Sequence, residues 1–435
     1  PRRGAGRGWL PLALLGGGLL RGLCGGERGA RVLVGLSRAL PGRRLPAPGA
    51  RGRAGLLRLA ASPEDAQGLP YSASDEASDL QQHRALLLSG EGRFAEAEAV
   101  LREVYATRAK ELGELHEKTL ATLCACAAAV FKQGRFKDAE KLYRSTLVRR
   151  RSVFGPGDPR TITAKHCLAC VVGEQGRLRT AERLHRAVLQ DWQAAGLAGN
   201  HSSVLATQNA LAVVLTNMGR LPEAADLYAV VVRGRQALLG DQHPQTLMAR
   251  SNLGGVLLQQ RRFAEAEMIV RQVQAARKEQ LGVEHPSTAE STANLALILL
   301  WQSSYEHAAK LFEEVLPYQQ AALGPGHPNV LLSQQHLGHA LRELGRLPEA
   351  YLLLNRTLEV LHETLGQRHP HSLKTQCGLA GTLQRLGRLR EAEDLFRAAL
   401  QSLPGMLGEL HPATLVAQVQ LGQVLAARGA LEEAE

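Results

Sequence analysis

Seven of the fifteen histidines recur at matching places in the chain: His116, His201, His243, His285, His327, His369 and His411. Imidazole is a common metal ligand, and zinc needs its donors at about 2 Å. From His201 onward, however, each histidine stands 42 residues from the next. If each belongs to one unit of a helical stack, successive rings lie about 10 Å apart, the helix-packing distance. A shared ion is then excluded, and a structural capping role is expected. Cys167 and Cys170 form a C-x-x-C, the spacing of redox and zinc sites. Their surroundings read as helix, and Cys124 and Cys126, the available partners, point about 200° apart on their own helix. Small apolar packing is the expected role of these thiols. Ser202 and Ser203 adjoin His201 without a strand–turn–helix elbow. No strand is predicted, so no Gly-rich phosphate loop follows one. The reading is a non-enzyme with no catalytic, cofactor-binding or metal-ligating residues.

Bulk composition narrows the classes further. The 435 residues carry 52 Lys and Arg, 41 Asp and Glu, and 4% aromatics, for a net charge of +11. Residues 1–60 hold 12 Arg, no Lys and one acid (Glu27), which accounts for all of that excess. The remaining 375 residues carry 40 basic and 40 acidic groups. A neutral body excludes a basic nucleic-acid-binding surface, and no nucleic-acid partner is expected. Six Cys exclude a disulfide scaffold. No run of 18 apolar residues is present, so no membrane span is expected. Residues 1–76 read as an Arg/Gly/Ala-rich leader containing one short apolar run, Trp9–Leu20. Its Arg excess suits organelle targeting by residues 1–60, whereas its scarcity of hydroxyl residues before Ser62 suits a disordered segment; both readings stay open. The absence of an initiator Met and the stop at Glu435 inside a repeat read as a fragment.

The histidines are held in place by a repeat. A turn followed by an Ala-Glu signature recurs as GRFAEAE at Gly92, GRFKDAE at Gly134, GRLRTAE at Gly176 and GRLPEAA at Gly219. It continues as RRFAEAE at Arg261, SSYEHAA at Ser303, GRLPEAY at Gly345, GRLREAE at Gly387 and GALEEAE at Gly429. Every interval is 42 residues except one of 43. A second marker, of the form LG-x-x-HP-x-T, keeps step with it, although the copy around His201 has decayed. Residues 77–435 thus contain about nine repeats, the last truncated.

Each repeat reads as two helices, A and B. Helix A opens after His-Pro or Asp-Pro, where Pro suits the first helical position and Asp158 is a ready N-cap. Helix B ends at Leu-Gly, where glycine adopts the left-handed C-cap. Small residues mark two fixed points. Helix A carries Ala85, Ala127, Ala169, Ala212, Gly254, Ala296, Gly338, Ala380 and Gly422, seven positions before each turn. Helix B carries Ala97, Ala139, Ala181, Ala224, Ala266, Ala308, Ala350, Ala392 and Ala434, five positions after it. These sites are expected to let the paired helices approach closely. Two short helices cannot bury their apolar faces alone, so each repeat must stack on its neighbours. The expected fold is all-α, an α-solenoid of antiparallel helix pairs winding as a right-handed superhelix, preceded by a disordered N-terminal segment.

Asn294-Leu295-Ala296, Tyr305, Ala308 and Phe312 resemble the tetratricopeptide (TPR) pattern. The longer period is similar to the 42-residue variety of kinesin light chains and nephrocystin-type proteins. The resemblance implies a concave groove, lined by helix A, that binds peptide segments of partner proteins. Carried over by position, the groove set is Asn209, Asn217, Ser251, Asn252, Gln259, Glu290, Asn294 and Trp301, then Arg342, Glu343, Lys374 and Arg385 toward the C-terminal end. Light chains carry a fuller Asn ladder where this chain has Ala125, Cys167, Ala210, His336, Gly378 and Gln420. The function implied is a protein-interaction scaffold or adaptor, with kinesin-type motor or cargo proteins among the partners. The location implied is cytoplasmic and cytoskeleton-associated. The alternative is the regulatory region of a larger multidomain protein whose catalytic domain lies outside this chain.

Overall fold

The computed structural model describes residues 73–197 and 199–429. Most of the Arg-rich leader, together with Ala434, lies outside the described residues. Within them the chain is helical and contains no strand. In chain order the helices are α1 (Ala73–Gly90), α2 (Phe94–Glu111), α3 (Glu117–Lys132), α4 (Phe136–Phe154), α5 (Pro159–Glu174) and α6 (Leu178–Ala194). Next come α7 (Ser202–Asn217), α8 (Leu221–Leu239), α9 (Pro244–Gln259), α10 (Phe263–Leu281), α11 (Pro286–Trp301) and α12 (Tyr305–Leu323). The series ends with α13 (Pro328–Glu343), α14 (Leu347–Thr364), α15 (Pro370–Arg385), α16 (Leu389–Leu400), α17 (Leu403–Leu407) and α18 (Pro412–Arg428). The odd-numbered helices through α15, and then α18, are the A helices. Two compact units divide the described chain, at residues 73–214 and 215–429. In each, helices pack on their sequence neighbours. The fold class is an all-α solenoid of helix pairs.

The ends of the helices explain the period. His116, His201, His243, His285, His327 and His369 each accept, through Nδ1, the backbone N–H two residues on, at 3.1–3.3 Å. Asp158 does the same for Arg160 at 2.8 Å. The bond satisfies one of the four unpaired donors at a helix start. The bond uses the lone pair of Nδ1, which leaves Nε2 to carry the ring's proton. His201 keeps the bond although the pattern around it has decayed.

Each A helix from α1 to α15 closes with a paired turn. The Gly134 N–H donates to the Phe131 carbonyl at 3.0 Å, and the Arg135 N–H donates to the Val130 carbonyl at 3.3 Å. This is a Schellman closure, which needs a residue with positive φ. Glycine supplies it in most repeats, but Arg261 (φ 64°) and Ser303 (φ 62°) take the same conformation. The residue after the turn is usually Arg, and it grips a carboxylate in the first turn of helix B. Arg262 holds Glu265 through two bonds of 2.7 Å, and Arg388 holds Glu391 through two of 2.6 Å. Both pairs are exposed and screened by solvent, so they add little to stability.

Between the paired helices lies a row of enclosed methyl groups. Ala97, Ala139, Ala181, Ala224, Ala266, Ala308, Ala350 and Ala392 are all fully buried. Four residues further along each B helix stands a large buried partner: Leu101, Tyr143, His185, Tyr228, Val270, Phe312, Leu354 and Phe396. Flat rings accompany Ala at most of the A-helix sites, as with Ala296 and Phe312, whereas Ala85 faces Leu101. Gly254 and Gly338 occur where the partner is branched, Val270 or Leu354. Cys126, Cys167 and the half-buried Cys170 and Cys377 form no disulfide among the described residues. Burial pushes Cys126 and Cys377 up to about 12.

Candidate functional site

A binding face must be accessible, and burial divides the candidate residues. In the 73–214 unit Asn209 is fully buried. In the 215–429 unit Ser251 and Asn252 are buried at 9% and 7% exposure. These three side chains belong to the packing between helices rather than to an open surface. The residues left accessible are Asn217, Gln259, Glu290, Asn294, Trp301, Arg342, Lys374 and Arg385. They fall into rows 42 residues apart. Asn217, Gln259, Trp301 and Arg385 hold one position of the repeat, which Glu343 also occupies. Glu290 and Lys374 hold a second. Consecutive A helices α9, α11, α13, α15 and α18 touch, so these rows run across neighbouring helices of one unit.

Trp301, at the end of α11, is half-buried and packs against the core around Ala308 and Phe312. Its buried indole N–H meets no acceptor in the protein. Glu290 lies 3.5 Å from Arg277 of α10. The C-terminal A helices are distinctive in charge. Among them α13 has one acid, Glu343, whereas α15 and α18 have none. Against that single acid stand Arg342, Lys374 and Arg385.

Glu343 is met by two arginines and by an imidazole that burial keeps neutral, its pKa lowered to about 4. Its carboxylate lies 3.1 Å from Arg342, 3.6 Å from Arg385 and 3.7 Å from His339. Arg342 reaches across to α15 because residue 381 is glycine. Its Nη1 stands 3.1 Å from where a Cβ on Gly381 would lie. Lys374 forms no ion pair with any described residue. It is exposed, yet desolvation lowers its ammonium to about 8. Burial also lowers the imidazole of His336, with Lys374 and His339 adding to the effect. Burial likewise lowers His371, helped by His369 and Lys374.

Helix B contributes a set that the repeat pattern had not singled out. Arg150, Arg235 and Arg277 are buried, and each donates from Nη1 to a carbonyl ten residues on, in the next A helix. The acceptors are Arg160, Gln245 and Ser287, at 2.7, 2.9 and 2.8 Å. Arg108 occupies the same place and bonds Thr122 Oγ1 at 2.6 Å. Burial lowers the pKa of Arg235 and Arg277. Their recurrence at one repeat position was the available signal, but Arg on an amphipathic helix ordinarily reads as solvated. Among the described residues no group of three or more His, Cys, Asp or Glu could hold a metal ion. No described helix is long and apolar enough to cross a membrane.

Known proteins place the chain. The tetratricopeptide repeat family model matches residues 76–147, 127–194, 203–279, 248–321, 287–363, 335–405 and 371–435. No curated protein matches the chain. Among solved structures, the apo form of the quorum sensor NprR from B. thuringiensis is 11% identical. It covers 83% of this chain and 96% of its own, with a TM-score of 0.62. A Rap protein complexed with competence and sporulation factor is 10% identical, covers 83% of this chain and 100% of its own, and has a TM-score of 0.53. Both likenesses are of fold. Repeats of a Podosopora anserina kinesin light chain are 29% identical over 48% of this chain and 98% of theirs, with a TM-score of 0.42. The match of the family model across nearly all of the described residues makes this chain a member of the tetratricopeptide repeat family.

Proposed function

We propose that the 215–429 unit binds extended peptide segments of partner proteins on the face formed by its A helices, and so acts as an interaction scaffold. One observation carries the reading: accessible polar residues recur in register on touching A helices, whose other sides are buried in the core. Gln259, Asn294 and Arg385 present amide and guanidinium groups there. Amides pair the donor and acceptor of a peptide backbone together, which holds an extended chain without reading its side chains. Motor and cargo proteins of the kinesin type are candidate partners for the test, and no chemical step is assigned to any residue.

The test places a photo-crosslinking amino acid at Asn294 of α11 or, as a control, at Lys310 on the exposed side of α12. Partner peptides crosslinked from Asn294, absent from Lys310 and competed by excess unlabelled peptide, are the expected outcome. Equal crosslinking from both positions would overturn the reading.

A further inference from the structure

Glu343 sits where a ligand's carboxylate would be expected. It is the only acid on α13, α15 and α18. Two arginines converge on it, the adjacent Arg342 of α13 at 3.1 Å and Arg385 of α15 at 3.6 Å. The Arg385 contact is longer than a hydrogen bond, and both partners are partly exposed, at 42% and 30%. Such a pair is weak and readily exchanged.

The neighbouring face of α15 carries two cations. Lys374, Gly378, Gly381 and Arg385 follow one another at i, i+4, i+7 and i+11, which places them on one stripe of α15. Two cations stand at the ends of that stripe, roughly 16 Å apart along the axis. Between them stand two glycines, Gly378 half-buried and Gly381 buried, and the Arg342 guanidinium occupies the space over Gly381. Lys374 has no counter-charge. The surface therefore has an excess of positive charge, fixed on helices and concentrated at one end of the unit.

We propose that this stripe is a recognition subsite for an acidic, Asp- or Glu-containing segment of a partner protein, and that Glu343 is a built-in stand-in that the partner's carboxylate displaces. Lys374 takes an acid directly. Arg342 and Arg385 are released to a second acid when Glu343 swings away. Glu343 thereby sets a threshold: a segment must offer carboxylates good enough to compete with an internal one. The inference rests on the A-helix face being the binding face.

The experiment measures fluorescence anisotropy with the whole chain and a short fluorescein-labelled peptide alternating Glu and Gly. The Gln/Gly and phosphoserine/Gly counterparts and a short single-stranded DNA serve as comparisons. The Glu peptide is expected to bind in a salt-sensitive manner and the Gln peptide not to bind. Lys374→Glu combined with Arg385→Glu should weaken binding about tenfold or more, whereas Lys310→Glu should leave it unchanged. Glu343→Gln should tighten binding several-fold, whereas Glu265→Gln, the same charge change on the exposed start of α10, should not. Equal gains from Glu343→Gln and Glu265→Gln would overturn the stand-in. Binding of DNA or of the phosphoserine peptide more than tenfold tighter than the Glu peptide would overturn the choice of ligand. If crosslinks form from Asn294 while the Glu peptide fails to bind, the acid subsite falls and the peptide-binding reading stands.

Discussion

A Cβ built on Gly338 would stand 2.5 Å from Cδ2 and 2.6 Å from Cγ of Leu354. Neither side can yield easily, because Leu354 is 3% exposed in the core between α13 and α14. The glycine of one helix and the branched side chain of the next are therefore one packing unit. Gly338→Ala is expected to destabilise the protein by about 1–3 kcal/mol through overpacking. Gly338→Ala with Leu354→Phe recreates the pairing of Ala296 with Phe312 and should melt above Gly338→Ala alone. Thermal denaturation by circular dichroism checks both, and additive losses in the double variant would contradict the coupling.

Arg261 and Ser303 close their A helices at φ 64° and 62°, in a region that costs a residue with a side chain about 1–2 kcal/mol. The turn bonds are kept, with the Arg262 N–H donating to the Leu257 carbonyl at 2.9 Å and the Ser304 N–H to the Leu299 carbonyl at 2.9 Å. Arg261→Gly and Ser303→Gly should each raise stability by several tenths of a kcal/mol, the relief of strain being partly offset by the greater freedom of unfolded glycine. Denaturant melts of the two single variants measure this. A fall in midpoint for both would show the strain to be relieved elsewhere.

Two arginines on α10 should behave differently on truncation. Arg277 is buried and donates to the Ser287 carbonyl at 2.8 Å, tying one repeat to the start of the next. Arg271 is exposed and pairs with Glu267 at 2.8 Å. Arg277→Ala is expected to cost about 1–3 kcal/mol, and Arg271→Ala less than about 1 kcal/mol. Hydrogen exchange at the first turn of α11 should rise in the first variant and not in the second.

Acid should loosen the 73–214 unit. His166 of α5 and His185 of α6 are buried with their rings 5.4 Å apart. Burial lowers His166 to about 4, and burial together with His166 lowers His185 to about 3. Both rings are neutral in the fold, whereas the unfolded chain takes up protons from about pH 6.5 downward. Their contribution is therefore whole above pH 6.5 and lost as pH falls toward 4 and then 3, by on the order of 3 kcal/mol for His166 alone. His185→Phe, which matches Phe312 and Phe396 at this position, should flatten the acid limb of a stability–pH curve. An unchanged limb would assign the acid sensitivity to other groups.

The repeat and its punctuation were legible in the residues alone because they rest on local chemistry. A His or Asp before Pro can cap only the helix that follows it, and a glycine turn of fixed length can only fold one helix back on the next. Nearest-neighbour stacking then follows, since a single hairpin leaves an apolar face open. Which polar residues are open to a ligand was not legible, because exposure depends on the neighbouring repeats. Asn209, Ser251 and Asn252 share a helix with accessible candidates yet are enclosed, and Arg108, Arg150, Arg235 and Arg277 read as surface charges yet are buried links. The pairing of Gly338 with Leu354 and the approach of Arg385 to Glu343 likewise join residues on different helices. Close packing and charge act through distance in space, and only the folded arrangement sets those distances.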